Sequence, residues 1–199
     1  MPNLNGGVLA PVDQEVTVHD LPVTGQLPPE LSGTLIRNGP NPFDGRFTGS
    51  DMLSWWMGPA MLHGIAISDG RALWYRNRWV RTGDWARHFA PEAAHDPVRD
   101  QSVNVNAVVH AGELLALGEG GLPFVIGPEL DTVRVTTFGG ALSGGSGLGG
   151  MSAHPRPIQP RARCSIFAPT GKTRFCASAR STPQASTSSI KRLKSRAHR

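Results

Sequence analysis

Met61-Leu62-His63-Gly64-Ile65-Ala66-Ile67-Ser68-Asp69-Gly70-Arg71-Ala72-Leu73-Trp74-Tyr75-Arg76-Asn77-Arg78-Trp79-Val80-Arg81-Thr82 is the stretch that decides the fold. Two runs rich in aliphatic, Trp and Tyr residues flank Asp69-Gly70. Asp-Gly accepts positive φ at both central positions of a two-residue turn, whose twist suits antiparallel strands. The stretch therefore reads as a hairpin, with strands over 61–67 and 72–82. Upstream, 34–37 reads as a short strand broken by Asn38-Gly39-Pro40-Asn41-Pro42, which is turn chemistry. Downstream, 102–110 alternates: Val103, Val105 and Ala107 on one side, Asn104 and Asn106 on the other. Ala111-Gly112-Glu113 turns that run into a strand over 114–119. Gly120-Gly121-Leu122-Pro123 turns again, and 132–138 is a further strand before the Gly/Ser-rich stretch 139–150. Helical periodicity is poor throughout 1–154. The expected class is all-β, with hairpins in series that suit a propeller, a sandwich or a barrel. No internal repeat chooses among the three.

Charge divides the chain. It has 20 Lys+Arg and 15 Asp+Glu. From Pro155 to Arg199 there are 11 basic residues and no acid, which leaves 20 − 11 = 9 basic and 15 acidic residues before them, a formal −6. The overall +5 thus joins an acidic body to a basic tail. All three lysines and both cysteines (Cys164, Cys176) lie in the tail, and all five tryptophans in the body. Ile158, Ile166, Phe167, Phe175, Ile190 and Leu193 are scattered among Arg, Ser, Thr and Pro. That is too little apolar surface to offset ordering entropy, so 157–199 is expected to be a disordered, basic, low-complexity tail. The cysteine spacing suits neither a disulfide framework nor a zinc site. The start lacks the charged and apolar regions of a secretory leader. No apolar run approaches the ~20 residues of a membrane helix. The expected location is cytoplasmic, with membrane-peripheral contact as the variant.

Several motifs carry a family resemblance. They are Leu27-Pro28-Pro29-Glu30-Leu31-Ser32-Gly33-Thr34-Leu35-Ile36-Arg37-Asn38-Gly39-Pro40-Asn41-Pro42; Met61-Leu62-His63-Gly64; Tyr75-Arg76-Asn77-Arg78-Trp79-Val80-Arg81-Thr82; Asn104-Val105-Asn106; Leu114-Leu115-Ala116-Leu117-Gly118-Glu119-Gly120-Gly121-Leu122-Pro123; and Ser152-Ala153-His154-Pro155. In this order they resemble the front of the carotenoid cleavage oxygenases, the lignostilbene and retinal-pigment-epithelium type, over about residues 8–156. The resemblance implies the first blades of a seven-bladed β-propeller, left incomplete here. It implies a non-haem Fe(II) held by four histidines, and O₂-dependent cleavage of a conjugated C=C bond in carotenoids, apocarotenoids or stilbenes to carbonyl products. His154 matches the family's first iron histidine. Glu119 matches a carboxylate that orients one of the other histidines. Neutral imidazole suits Fe(II), and a carboxylate on the far N–H fixes the tautomer and ring plane of a ligand histidine.

The chain departs from the family pattern too. Gly58-Pro59-Ala60-Met61 stands where the family usually has Gly-Asp-Gly-Met, and the only histidine after His154 is His198. His63 and His110 do not match iron positions and read as structural. Arg76, Arg78 and Arg81, interleaved with Trp74, Tyr75 and Trp79, read as a strand with one solvated face. The sharp switch after His154 resembles translation in a shifted reading frame. The expectation is an enzyme by descent, inactive as this chain alone. The alternatives are a non-catalytic propeller remnant that docks to other blades, and a basic-tailed nucleic-acid-binding protein. Against the last, the tail has no recognisable module and few aromatics for stacking.

Overall fold

The computed structural model of the chain describes residues 3–48, 52–143, 149–158, 163–167, 174–178 and 191–192. They form antiparallel sheets in series. The first contains β1 (Thr17–His19), β2 (Gly33–Pro40), β3 (Ala60–Ser68) and β4 (Arg71–Trp79) in the order β1-β4-β3-β2. The second is a meander of β5 (Asn106–His110), β6 (Glu113–Leu117), β7 (Phe124–Ile126) and β8 (Thr132–Val135), with neighbours in chain order. A third, β12-β11-β10-β9, joins β9 (Arg156–Ile158), β10 (Arg163–Phe167), β11 (Arg174–Ser178) and β12 (Lys191–Arg192).

The hairpin at Asp69-Gly70 is present. Asp69 has φ 51° and Gly70 φ 71°, the paired positive angles that the dipeptide predicts. Ala111 and Gly112 close the β5–β6 hairpin in the same way, at φ 52° and 83°. The first sheet differs from the sequence reading at its far end. Asn38-Gly39-Pro40, read as turn, continues β2, with Pro40 opposite Ala60. β2 is an edge strand, where a proline's missing N–H costs no ladder bond. Two helices interrupt the strands, α1 (Met52–Trp56) and α2 (Gly83–Phe89). At five and seven residues they are too short to show a helical period. Past residue 157, short strands occur where the sequence reading expects disorder; the rest of that segment lies outside the described residues. Short runs containing β-formers such as Ile166 and Phe175 pair there through their backbones, a stabilisation that a composition argument does not count.

The first two sheets pack face to face. Ala60, Leu62 and Val80 meet Val103, Ala116, Phe124, Ile126 and Leu130, with Ile36 alongside. The second sheet's other face is covered as well. Leu115, Leu117, Leu122 and Val125 pack on Leu142, Met151 and Ala153, which belong to the segment leading to His154. The first sheet's other face is open over the cross-strand row Leu35, Ile65, Tyr75 and Val18. Leu35 is 60% exposed and Val18 46%. The N-terminal segment laces the rest of that face. Asn41 exchanges hydrogen bonds with the Val12 backbone, Asn77 accepts from Val16 N, and the Glu15 carboxylate accepts from both Arg81 and Trp79 N.

Arg76, Arg78 and Arg81, read from sequence as a solvated face, are partnered instead. Arg76 is buried against Glu129 and stacks over Trp74 at 4.8 Å. Arg78 donates to Val16 O and Thr17, and Arg81 lies over Trp85 at 4.1 Å. A strand pattern shows which side chains share a face. It does not show that another sheet or a chain terminus lies across from them.

Candidate metal centre

The two residues singled out by sequence come together, although 35 positions separate them. Glu119 follows β6 in the run Gly118-Glu119-Gly120. His154 follows the Gly150-Met151-Ser152-Ala153 segment. An antiparallel bridge between Gly121 and Met151 joins these loops. Gly120 N donates to Met151 O at 3.0 Å, and Met151 N to Gly121 O at 2.9 Å. The approach is close enough to require glycine: a Cβ on Gly150 would collide with the Gly120 carbonyl, and one on Gly118 with the Ser102 carbonyl. Gly120, at φ 77°, makes the turn after the carboxylate.

This clamp sets Glu119 Oε1 at 2.6 Å from His154 Nδ1. The ionised carboxylate can only accept, so the proton resides on Nδ1 and a neutral ring keeps its lone pair on Nε2. The His154 side chain is 71% exposed and that of Glu119 49%. The Ser152 hydroxyl accepts from His154 N, and Asn106 Nδ2 donates to Ala153 O at 2.9 Å. The family resemblance gives Glu119 to a different histidine; here its partner is His154.

In kind, this is the donor an iron site uses: an imidazole whose far N–H is held by a carboxylate. In number it is one corner. Among the described residues no group of three or more His, Cys, Asp or Glu converges. His63 is engaged elsewhere: its Nδ1 lies 2.8 Å from the Tyr75 hydroxyl. Burial, and then the nearby Arg37 charge, hold its pKa below the ordinary imidazole value. His110 packs edge-on to Phe138. His198 lies outside the described residues. The donors among the described residues therefore do not complete an iron site. A groove of about 310 Å³, lined in part by Leu35, Arg37, His63, Ile65 and Tyr75, sits on the open face of the first sheet and includes neither His154 nor Glu119.

Sequence reasoning did not single out Gly150 or Asn106 as part of this arrangement. Gly150 lies in a Gly/Ser-rich run with no local pattern. Asn106 is visible in sequence as a polar position in an alternating strand and as part of the Asn104-Val105-Asn106 motif, neither of which gives its partner.

A model of the retinal pigment epithelial membrane protein family matches residues 9–193, past the point where the motifs stop. The chain belongs to the carotenoid cleavage oxygenase family. It is 42% identical over 156 residues to a carotenoid cleavage oxygenase of Mycobacterium tuberculosis, covering 75% of this chain and 30% of the relative. It is 32% identical to carotenoid 9,10(9′,10′)-cleavage dioxygenase 1 of Arabidopsis thaliana, covering 60% and 27%. It is 30% identical to resveratrol cleavage oxygenase 1 of Aspergillus fumigatus, covering 75% and 31%. The chain thus spans under a third of the length of these relatives. Its fold is that of the lignostilbene dioxygenase of Pseudomonas brassicacearum (TM-score 0.70, 23% identity, 89% of this chain, 39% of that one). A Synechocystis apocarotenoid oxygenase gives 0.65, at 22% identity, over 93% and 43%. The all-β expectation and its propeller reading hold, with part of the propeller present.

Proposed function

We propose that this chain is the N-terminal part of a non-haem Fe(II) dioxygenase that cleaves a conjugated C=C bond of an apolar polyene or a stilbene to carbonyl products. The observation that carries the reading is the 2.6 Å contact between Glu119 and His154, which presents one oriented, neutral imidazole nitrogen. Iron, where bound, would supply the activation of O₂. The contribution of this chain is to hold one imidazole at a fixed tautomer and ring plane, through Glu119 and the glycine clamp. The remaining ligands are assigned to the length of the family that this chain does not span. A single imidazole binds Fe(II) weakly and exchangeably, so the 199-residue chain alone is inactive in this reading.

The substrate class follows the names of the relatives, which act on carotenoids and on resveratrol, a stilbene. Such substrates partition into lipid, so a cytoplasmic protein that meets its substrate at a membrane surface is part of the proposal. No helix among the described residues is long and apolar enough to cross a membrane. The tail past His154 is assigned to a shifted reading frame, and 8–156 to the propeller part. A single-base shift in the gene that restores a family-like sequence after the His154 codon tests that assignment.

The functional test is a chimera in which residues 1–156 are continued by the remaining length of the Mycobacterium relative. Incubated with Fe(II), O₂ and an apocarotenoid or stilbene, it should yield aldehydes, and His154→Ala should abolish them. Equal product from the His154→Ala chimera refutes the assignment of the ligand.

A further inference from the structure

The contacts around Ala153 give a role to Asn106, which the Asn104-Val105-Asn106 motif marks without assigning it one. We infer that Asn106 is the positioning residue of His154, braced from the first sheet by Asn38. Its relevance to iron rests on the proposed function; the positioning itself does not.

Asn106 begins β5, where its backbone pairs with Leu117, two residues before Glu119. Its side chain reaches the other loop, Nδ2 donating to Ala153 O at 2.9 Å. One residue therefore spans the two loops that carry the pair: its main chain is registered on the Glu119 strand, and its amide grips the peptide directly before His154. The amide cannot turn over, because its Oδ1 accepts from Ala107 N at 2.8 Å. Ala153 is fully buried, so its carbonyl has little access to water. A donor lost there leaves a buried acceptor unpaired.

The backbone of Asn106 is held in turn. Asn38, on β2, directs Nδ2 at both Val103 O (2.6 Å) and Asn106 O (2.8 Å). Both acceptors are carbonyls, so the Asn38 amide nitrogen must face them, and aspartate cannot replace it. The cost is visible: Asn38 Oδ1 is buried without a hydrogen-bond partner among the described residues. A neighbouring asparagine fastens the same segment to the end of α1 and the loop after it, with Asn104 Nδ2 donating to Trp56 O and Gly58 O. The first sheet thereby fixes where β5 starts, and β5 fixes where His154 stands.

The test is NMR on the ¹⁵N-labelled chain. Long-range imidazole ¹⁵N–¹H correlations at alkaline pH report which ring nitrogen of His154 carries the proton. The parent should show the Nδ1–H form, and Glu119→Ala gives the reference for a broken pair. Asn106→Asp keeps the size but lacks the donor. It should reproduce the Glu119→Ala signature at His154, while the amide signals of Glu113–Leu117 stay in place. Asn106→Gln, which keeps a donor, should restore part of the parent signal. An unchanged His154 signature in a folded Asn106→Asp chain overturns the inference. If that variant does not fold, the side-chain amide of Asn106 in the parent decides: protection from exchange supports the bond to Ala153, and exchange as fast as a free asparagine overturns it. Anaerobic Co(II) added to the parent separates the two claims. Failure to broaden His154 sinks the ligand reading and leaves the role of Asn106 standing.

Discussion

Gly150→Ala tests the clamp that makes the centre. The new Cβ points at the carbonyl oxygens of Gly120 and Gly121, both backbone atoms that cannot swing aside as a flexible side chain would. Overpacking of this kind costs about 1–3 kcal/mol. Relief requires the strands to part, which stretches the two bridge bonds between Gly120–Gly121 and Met151. Each of those is worth about 0.5–1.5 kcal/mol net. The chain either accepts the collision or breaks the bridge, so the net loss is about 3 kcal/mol rather than the full sum of both. For a chain of this size that lowers the melting temperature by about 6–12 °C, at roughly 2–4 °C per kcal/mol. The assay is thermal unfolding followed by tryptophan fluorescence. The control is Gly39→Ala, where nothing lies within 4 Å of the new Cβ. It should change stability by no more than about 0.5 kcal/mol. A Gly150→Ala chain that melts within about 2 °C of the parent would refute the close approach as the device that joins Glu119 to His154.

Three further outcomes are expected. Asn104→Ala removes a 4%-exposed side chain that serves two carbonyls, and should cost about 2–4 kcal/mol in denaturant unfolding; a loss under about 0.5 kcal/mol would contradict its bracing role. His63 has a lowered pKa in the fold, so the unfolded chain binds more protons below the ordinary value of 6.5. Its contribution is fully present above that pH and is lost as pH falls toward the depressed folded value. Melts at descending pH should show this loss, and His63→Gln should flatten it; an unchanged slope in the variant would tell against burial as the cause. The open apolar row of the first sheet predicts self-association of the chain in analytical ultracentrifugation, and Leu35→Lys, which places a charge there, should reduce it; a monomeric parent or identical sedimentation of parent and variant is the contrary result.

The parts of the fold that could be read from sequence were those encoded locally. Asp69-Gly70 specifies its turn through backbone angles that few other dipeptides accept, so the central hairpin was legible. The α2 helix carried a local signal too weak to outweigh its length. Thr82 caps it by accepting from Trp85 N at 3.3 Å, and Asp84 lies in its first turn, yet seven residues cannot show a period. Pro40 was misread because its tolerance in a strand depends on the strand being at an edge, a property of the sheet. The same holds for Arg76, whose ion pair depends on Glu129, in the turn between β7 and β8, lying across from it. At the candidate centre, Glu119 and His154 were legible only through family resemblance. No periodicity links residues that a glycine-lined bridge brings together. Asn38 and Asn106 form a strut only once β2 and β5 are adjacent, and no spacing in the chain encodes that adjacency.

Anaerobic Fe(II) titration of the 199-residue chain, beside the chimera that restores the remaining family length, decides whether His154 is an iron ligand. The chain alone should hold iron weakly and exchangeably. The chimera should hold one iron tightly, lost on His154→Ala and weakened about 10–100-fold by Glu119→Gln, the usual size of an effect exerted through a ligand's hydrogen-bond partner. Tight stoichiometric iron on the chain alone, or iron in the chimera indifferent to His154, would contradict this reading.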